Sequence, residues 1–355
     1  MTAKKLMEKY KHFLLAFALI FVFLLVYYPH YNYNYPLHAD EWYHIEQAEK
    51  ILNNDYGKPY RNFGANFEFG YQYILAGIFF IERAVGIDEI LAYRFLPAIF
   101  AVFASLALFM LLLRLTGSFN TGLLGIIFFA SLPSNVNLLG LWFALPMSFS
   151  IFLVYLFFYF FIDTMKSSGY YSLASLFALF FIYPPFVLLI MPVLIFYFIF
   201  NYHEIRTRKI MIFLPYLIFF LLAFKIMWYK TIWKTFLIIL KTIVFKAGES
   251  HLELSQNFYM LYGIVPLLIA ITGIYFSFKE KQKRILFFWF LSCFLLLVFY
   301  YLFDFSLLAR NQRIIYFLML NLVLLSAVGL MGIISFFNEK IKNKKLKIAF
   351  GVVLL

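Results

Sequence analysis

Apolar runs of near bilayer-crossing length, divided by short basic or proline-marked breaks, recur along most of this sequence. Tyr93–Leu115, Leu141–Ile162, Ile285–Phe303 and Arg313–Phe337 each approach the roughly 20 residues a spanning helix needs. Backbone polar groups in hydrocarbon must be paired within their own segment, which favours helices. Hydrophobic residues make up 65% of the 355, against about 45–50% in soluble domains. The expected fold class is all-α: a polytopic membrane protein of about 10–12 transmembrane helices, with a long first extracytoplasmic loop carrying juxtamembrane helices. Cys293 is the lone cysteine and lies in an apolar run. No disulfide framework is available, and the thiol reads as inert packing.

A net charge of +13 would suggest nucleic acid in a soluble protein. Here the positive-inside rule accounts for it. Lys4, Lys5, Lys9 and Lys11 precede the first span, His12–Tyr28, which has no small-residue cleavage site and reads as a retained helix with a cytoplasmic N-terminus. The next spans are Tyr93–Leu115, Asn120–Leu132, Leu141–Ile162, Tyr171–Tyr183, Pro184–Phe200, Ile210–Met227, Phe258–Phe278, Ile285–Phe303 and Arg313–Phe337. Pro184-Pro185 breaks one apolar stretch in two, since proline removes a helix hydrogen bond. With this threading, the inner ends hold 18 of the 30 Lys and Arg. The whole chain reads as one transmembrane domain with two large outer regions, 29–92 and 228–257. Within the first, Phe69–Ile81 is too short to span and suits a juxtamembrane helix. A last apolar run from Ile348 stops at Leu355, so a further helix or extracytoplasmic domain beyond it is expected.

Three constellations fall on the outer side. The first is Asp40-Glu41 in the run His38-Ala39-Asp40-Glu41-Trp42-Tyr43-His44. Carboxylates are scarce, with 17 Asp and Glu in the chain, so a pair at the membrane edge suggests chemistry there. Asp40–Asn54 reads as an amphipathic helix: Asp40, His44, Gln47 and Ile51 share one side and Glu41, Ile45, Ala48 and Leu52 the neighbouring one. Asp40 suits a general base or a metal ligand. It equally suits the helix N-cap, and His44 equally suits an interfacial polar residue. The second is a stripe of Lys230, Lys234 and Lys241 within roughly 40° on a helical wheel, followed by the polar loop with Glu249, His251 and Glu253. Clustered lysines bind anionic head groups, although snorkelling to bulk lipid gives the same pattern. The third is Arg310-Asn311-Gln312-Arg313: arginines three apart share a helical face and suit phosphate, or serve as interfacial anchors. No Gly-rich phosphate loop, zinc spacing or Ser-His-Asp signature occurs, and nothing points to nucleic acid.

Taken together these residues resemble the GT-C superfamily of integral-membrane glycosyltransferases. Asp40-Glu41-Trp42-Tyr43-His44, Ala48-Glu49-Lys50-Ile51-Leu52 and Gly57-Lys58-Pro59-Tyr60 are similar to the acidic first-loop segment of the oligosaccharyltransferase catalytic subunit. Tyr93-Arg94-Phe95-Leu96-Pro97, Arg114-Leu115-Thr116-Gly117 and Pro133 are similar to the family's second helix, the turn after it and the end of a short third helix. The resemblance is diffuse and spans residues 12–337. It implies that Asp40, helped by Glu41, is the catalytic or metal-binding carboxylate. It further implies that His44, Lys230, Lys234, Glu249 and Glu253 contact substrate, and that Arg310 or Arg313 holds the lipid phosphate. The chain departs from the family in Pro133–Gly140, which has no carboxylate, and in lacking a Trp-Trp-Asp motif. Both departures favour the branches that resemble protein mannosyltransferases and aminoarabinose transferases, which use lipid monophosphate sugars. A divalent metal (Mg or Mn) at Asp40 and a metal-free site both fit the resemblance.

The implied reaction takes a sugar from a polyprenyl-phosphate to a protein, lipid or glycan acceptor on the extracytoplasmic face of the cell membrane. Asp40 would deprotonate the acceptor while cations stabilise the departing phosphate. The competing expectations are a transporter or flippase for a lipid-linked or anionic solute, and a non-catalytic assembly subunit. A transporter should carry ionisable residues near mid-span, whereas here they collect at the boundary.

Overall fold

The computed structural model describes residues 3–33, 35–55, 68–88, 90, 93–135, 138–163, 166–201, 244–246 and 262–340. The described residues form α-helices and one small ribbon. In chain order the helices are α1 (Ala3–Tyr27), α2 (Ala39–Leu52), α3 (Phe69–Val85), α4 (Leu96–Thr116), α5 (Phe119–Ala130), α6 (Pro146–Ile162), α7 (Lys166–Ile182), α8 (Pro184–Phe200), α9 (Ile264–Lys279), α10 (Arg284–Phe303) and α11 (Asn311–Lys340). Strand β1 (Val244–Lys246) pairs antiparallel with β2 (Phe305–Leu307), Phe245 opposite Ser306. The expected span Ile210–Met227 lies outside the described residues.

Four segments are long and apolar enough to cross a membrane: Tyr10–His30, Leu96–Thr116, Lys281–Phe303 and Asn311–Glu339. Five shorter apolar helices accompany them, so the chain is an all-α polytopic membrane protein, as the apolar runs predict. Burial orders the bundle. The apolar window of α11 is 78% buried and that of α1 only 11%, so α11 runs through the middle and α1 lies on the rim. Trp289 of α10 stacks on Phe158 of α6 (4.5 Å between centroids) and donates through its indole N–H to the Phe317 carbonyl of α11. The central helices are thereby locked by aromatic packing and a satisfied polar handle.

Local chemistry sets the boundaries. α6 and α8 open on Pro146 and Pro184 at a first-turn position, where the missing N–H costs nothing. α4 ends at Gly117 with φ 64°, a left-handed cap that glycine adopts without strain. Ser118 then caps α5, its hydroxyl accepting from the Thr121 amide at 3.3 Å. The expected span Leu141–Ile162 is shortened: α6 starts at Pro146, and residues 141–145 form non-helical turns whose Ala144 peptide meets side chains from α2 and α3. α3 runs past Glu82 to Val85, and Arg83 pairs with Glu49 of α2 at 2.9 Å. Its first turn presses on the end of α7: a Cβ on Gly70 would sit 2.7 Å from the Phe181 carbonyl oxygen.

Candidate functional site

The start of α2 is a doubly closed cap. His38 is the N-cap, its Nδ1 accepting from the Asp40 amide at 3.1 Å. Glu41, at the third helical position, reaches back so that Oε2 accepts from the Leu37 and His38 amides at 2.8 and 2.9 Å, a capping box. Asp40 is thus not the N-cap; His38 takes that role. Consecutive helical residues point about 100° apart, and here the turn separates the carboxylates. The Asp40 side chain is 57% exposed, whereas Glu41 is fully buried. Asp40 Oδ2 lies 3.7 Å from His38 Nδ1. That nitrogen already accepts an amide hydrogen, so the contact is not a charged pair.

Glu41 Oε1 accepts from the Ala144 amide at 2.8 Å, in the connection between α5 and α6. The same residue's carbonyl accepts from the hydroxyls of Tyr71 (2.5 Å) and Tyr93 (2.7 Å). Burial pushes the Glu41 carboxyl up to about 7, and the three amide donors hold it from rising further. Between about pH 4.5 and 7 the folded protein therefore holds a proton that the unfolded chain releases. The Glu41 contribution to stability is complete below this window and is lost as pH rises through about 7. Thermal unfolding in detergent across this window is expected to show wild type losing stability relative to Glu41→Gln as pH rises. Parallel curves for the two proteins would contradict this.

One turn after Asp40, His44 is buried, its ring edge-on to Tyr71 at 5.3 Å. Its Nε2 lies 3.3 Å from Glu68 Oε2, and its Nδ1 is buried with no hydrogen-bond partner among the described residues. Glu68, the N-cap of α3, did not stand out in the sequence. An isolated carboxylate in the aromatic run Phe67-Glu68-Phe69 was the available signal.

The cationic side is built at the start of α11. Arg310 is exposed, and its carbonyl accepts from the Arg313 amide at 2.8 Å. Arg313 is half-buried, with Nη1 3.4 Å from the Leu138 carbonyl and 3.6 Å from Met147 Sδ. Tyr183, at the break between α7 and α8, is buried. The Arg313 guanidinium and the Glu41 carboxyl beside Asp40 both bond the α5–α6 connection, at the Leu138 carbonyl and the Ala144 amide. Lys230, Lys234, Glu249 and Glu253 lie outside the described residues. The β1 segment between these pairs docks on β2, three residues before Arg310. Among the described residues no three His, Cys, Asp or Glu side chains converge as a metal-ligand set.

No family model and no curated protein sequence matches the chain. Among solved structures, it is similar to the archaeal oligosaccharyltransferase AglB from Archaeoglobus fulgidus, determined with an inhibitory peptide and a dolichol-phosphate. The TM-score is 0.62 at 14% identity, over 98% of this chain and 54% of that one. The chain thus spans about half the length of that structure, and the likeness establishes a GT-C-like fold.

Proposed function

We propose that this protein is a membrane glycosyltransferase that moves a sugar from a polyprenyl-phosphate donor to an acceptor on the extracytoplasmic side, with its N-terminus in the cytoplasm. The supporting observation is that the α2 cap carrying exposed Asp40 and the guanidinium of Arg313 both bond the α5–α6 connection, at Ala144 and Leu138, on a GT-C-like fold. Asp40 is the general base for the acceptor, because its carboxylate is open to solvent. Arg310 and Arg313 take the lipid phosphate, where negative charge grows as the glycosidic bond breaks. His44, held against Glu68, borders the acceptor side. Lys230 and Lys234 are assigned to the anionic donor, and Glu249 and Glu253 to substrate contact. A divalent metal, where one binds, would use Asp40. Glu41 has both oxygens accepting backbone N–H groups and supports Asp40 from the cap rather than serving as the base.

The test is transfer from a mixed pool of labelled polyprenyl-phosphate sugars by the purified protein, with and without a chelator. Wild type is expected to transfer label. Arg310→Gln and Arg313→Gln are each expected to raise the donor KM about tenfold, the value of one hydrogen bond to a charged group. A well-folded wild type that transfers nothing would overturn the proposal. Translocation of labelled lipid across proteoliposomes without transfer would instead favour a flippase.

A further inference from the structure

Among the described residues, Glu41 is the one Asp, Glu, Lys or Arg in the fully buried class. Burying a carboxylate costs several kcal/mol unless its lone pairs are satisfied. Every hydrogen bond given to Glu41 comes from a backbone N–H: Leu37, His38 and Ala144. The last is the long-range one. It reaches a non-helical segment whose own N–H and C=O groups need partners.

That segment is held along its length by side chains from distant elements. The Ala144 peptide is gripped on its N–H side by Glu41 and on its C=O side by Tyr71 and Tyr93. His30 Nε2 donates to the Trp142 carbonyl at 2.7 Å. At the far end, Arg313 reaches the Leu138 carbonyl. One end of the segment is thus tied to the residue beside Asp40, and the other to the arginine of the cationic side.

We infer that Glu41 is a positioning residue, and that the α5–α6 connection it grips is the spacer that sets the separation between Asp40 and Arg313. The functional part of this inference rests on the transferase proposal; the spacer itself does not. Both groups must act on one transition state, Asp40 through the acceptor and Arg313 through the departing phosphate, and misplacing a reacting group by about 1 Å costs on the order of 100-fold. A rigid spacer serves that need better than two loops free to drift.

The experiment measures the separation directly. Cys293 is buried, so spin labels can be placed at Glu46→Cys on α2 and Gln312→Cys on α11. Wild type is expected to give a narrow distance distribution, and Glu41→Ala a broad or shifted one. Asp40→Ala is expected to keep the wild-type distribution. If Glu41→Ala does not fold, Tyr71→Phe with Tyr93→Phe releases the Ala144 carbonyl without changing shape and is expected to broaden the distribution. In turnover, Glu41→Ala is expected to lower kcat about 100-fold, counted per folded molecule, with donor KM within about threefold of wild type. An unchanged narrow distribution in Glu41→Ala, or in the double Phe variant where that one is used, overturns the spacer. A broadened distribution with wild-type kcat overturns the positioning role. Failure of the wild type to transfer sugar would remove the transferase proposal while leaving the distance result intact.

Discussion

Asp40→Asn is expected to abolish sugar transfer, by about 10²- to 10⁴-fold, the usual contribution of a general base. The variant keeps the size and polarity of the side chain and removes its basicity. Asp40 contributes to the helix cap through its backbone amide, while its exposed carboxylate meets His38 alone among the described residues. Stability should therefore stay within about 0.5 kcal/mol of wild type, as for ordinary surface substitutions. Transfer rates and thermal unfolding of the same preparation check both halves. Full activity in a folded Asp40→Asn protein would remove Asp40 as the base. Glu68, the carboxylate set against His44, would then be the group to change next.

The largest expected effect on stability lies far from this end, where α9 crosses α11. A Cβ on Gly273 would run into the Leu325 carbonyl oxygen, and one on Gly329 into the Ile269 carbonyl oxygen. Both obstacles are backbone, which cannot swing aside as a side chain can. Without a hydrophobic drive between helices in lipid, such close approach is what van der Waals packing relies on. Gly273→Leu is therefore expected to cost about 3 kcal/mol or more, the upper range for overpacking. Gly77→Leu is the control, since a Cβ there meets nothing within 4 Å. Denaturant titration in mixed micelles should separate the two. Equal stability of both variants would mean that α9 and α11 can part at little cost.

Much of the architecture was legible because hydropathy and proline act locally. Pro184 marks the start of α8, and the apolar run to Phe303 marks the end of α10. The amphipathic stretch predicted from Asp40 to Asn54 is α2, and its periodicity already separated Asp40 from Glu41. Boundaries failed where long-range bonds intervene. Residues 141–145 are as apolar as a span, yet they stay outside the helix, where Glu41, Tyr71 and Tyr93 bond the Ala144 peptide from far along the chain. No local pattern encodes that. For the same reason Glu41 looked like half of a catalytic pair: adjacency in sequence suggests shared chemistry, whereas burial gives the two carboxylates different work. Glu68 carries little local signal, because it is an ordinary helix cap until the fold sets it against His44.

The order in which partners appear along the chain gives the α5–α6 connection a place in biosynthesis. Leu37, His38, Glu41, Tyr71, Tyr93 and Ala144 have all been synthesised once α6 begins, and chains fold from the N-terminus as they emerge. The grip on Ala144 can close at that stage. Its counterpart at Leu138 waits for Arg313, 175 residues further along the chain. On the proposed function, the Asp40 side of the site is thus set early and the arginine side is completed only when α11 enters the membrane. A nascent chain stalled before α11 would then hold Asp40 in place with no arginine opposite it.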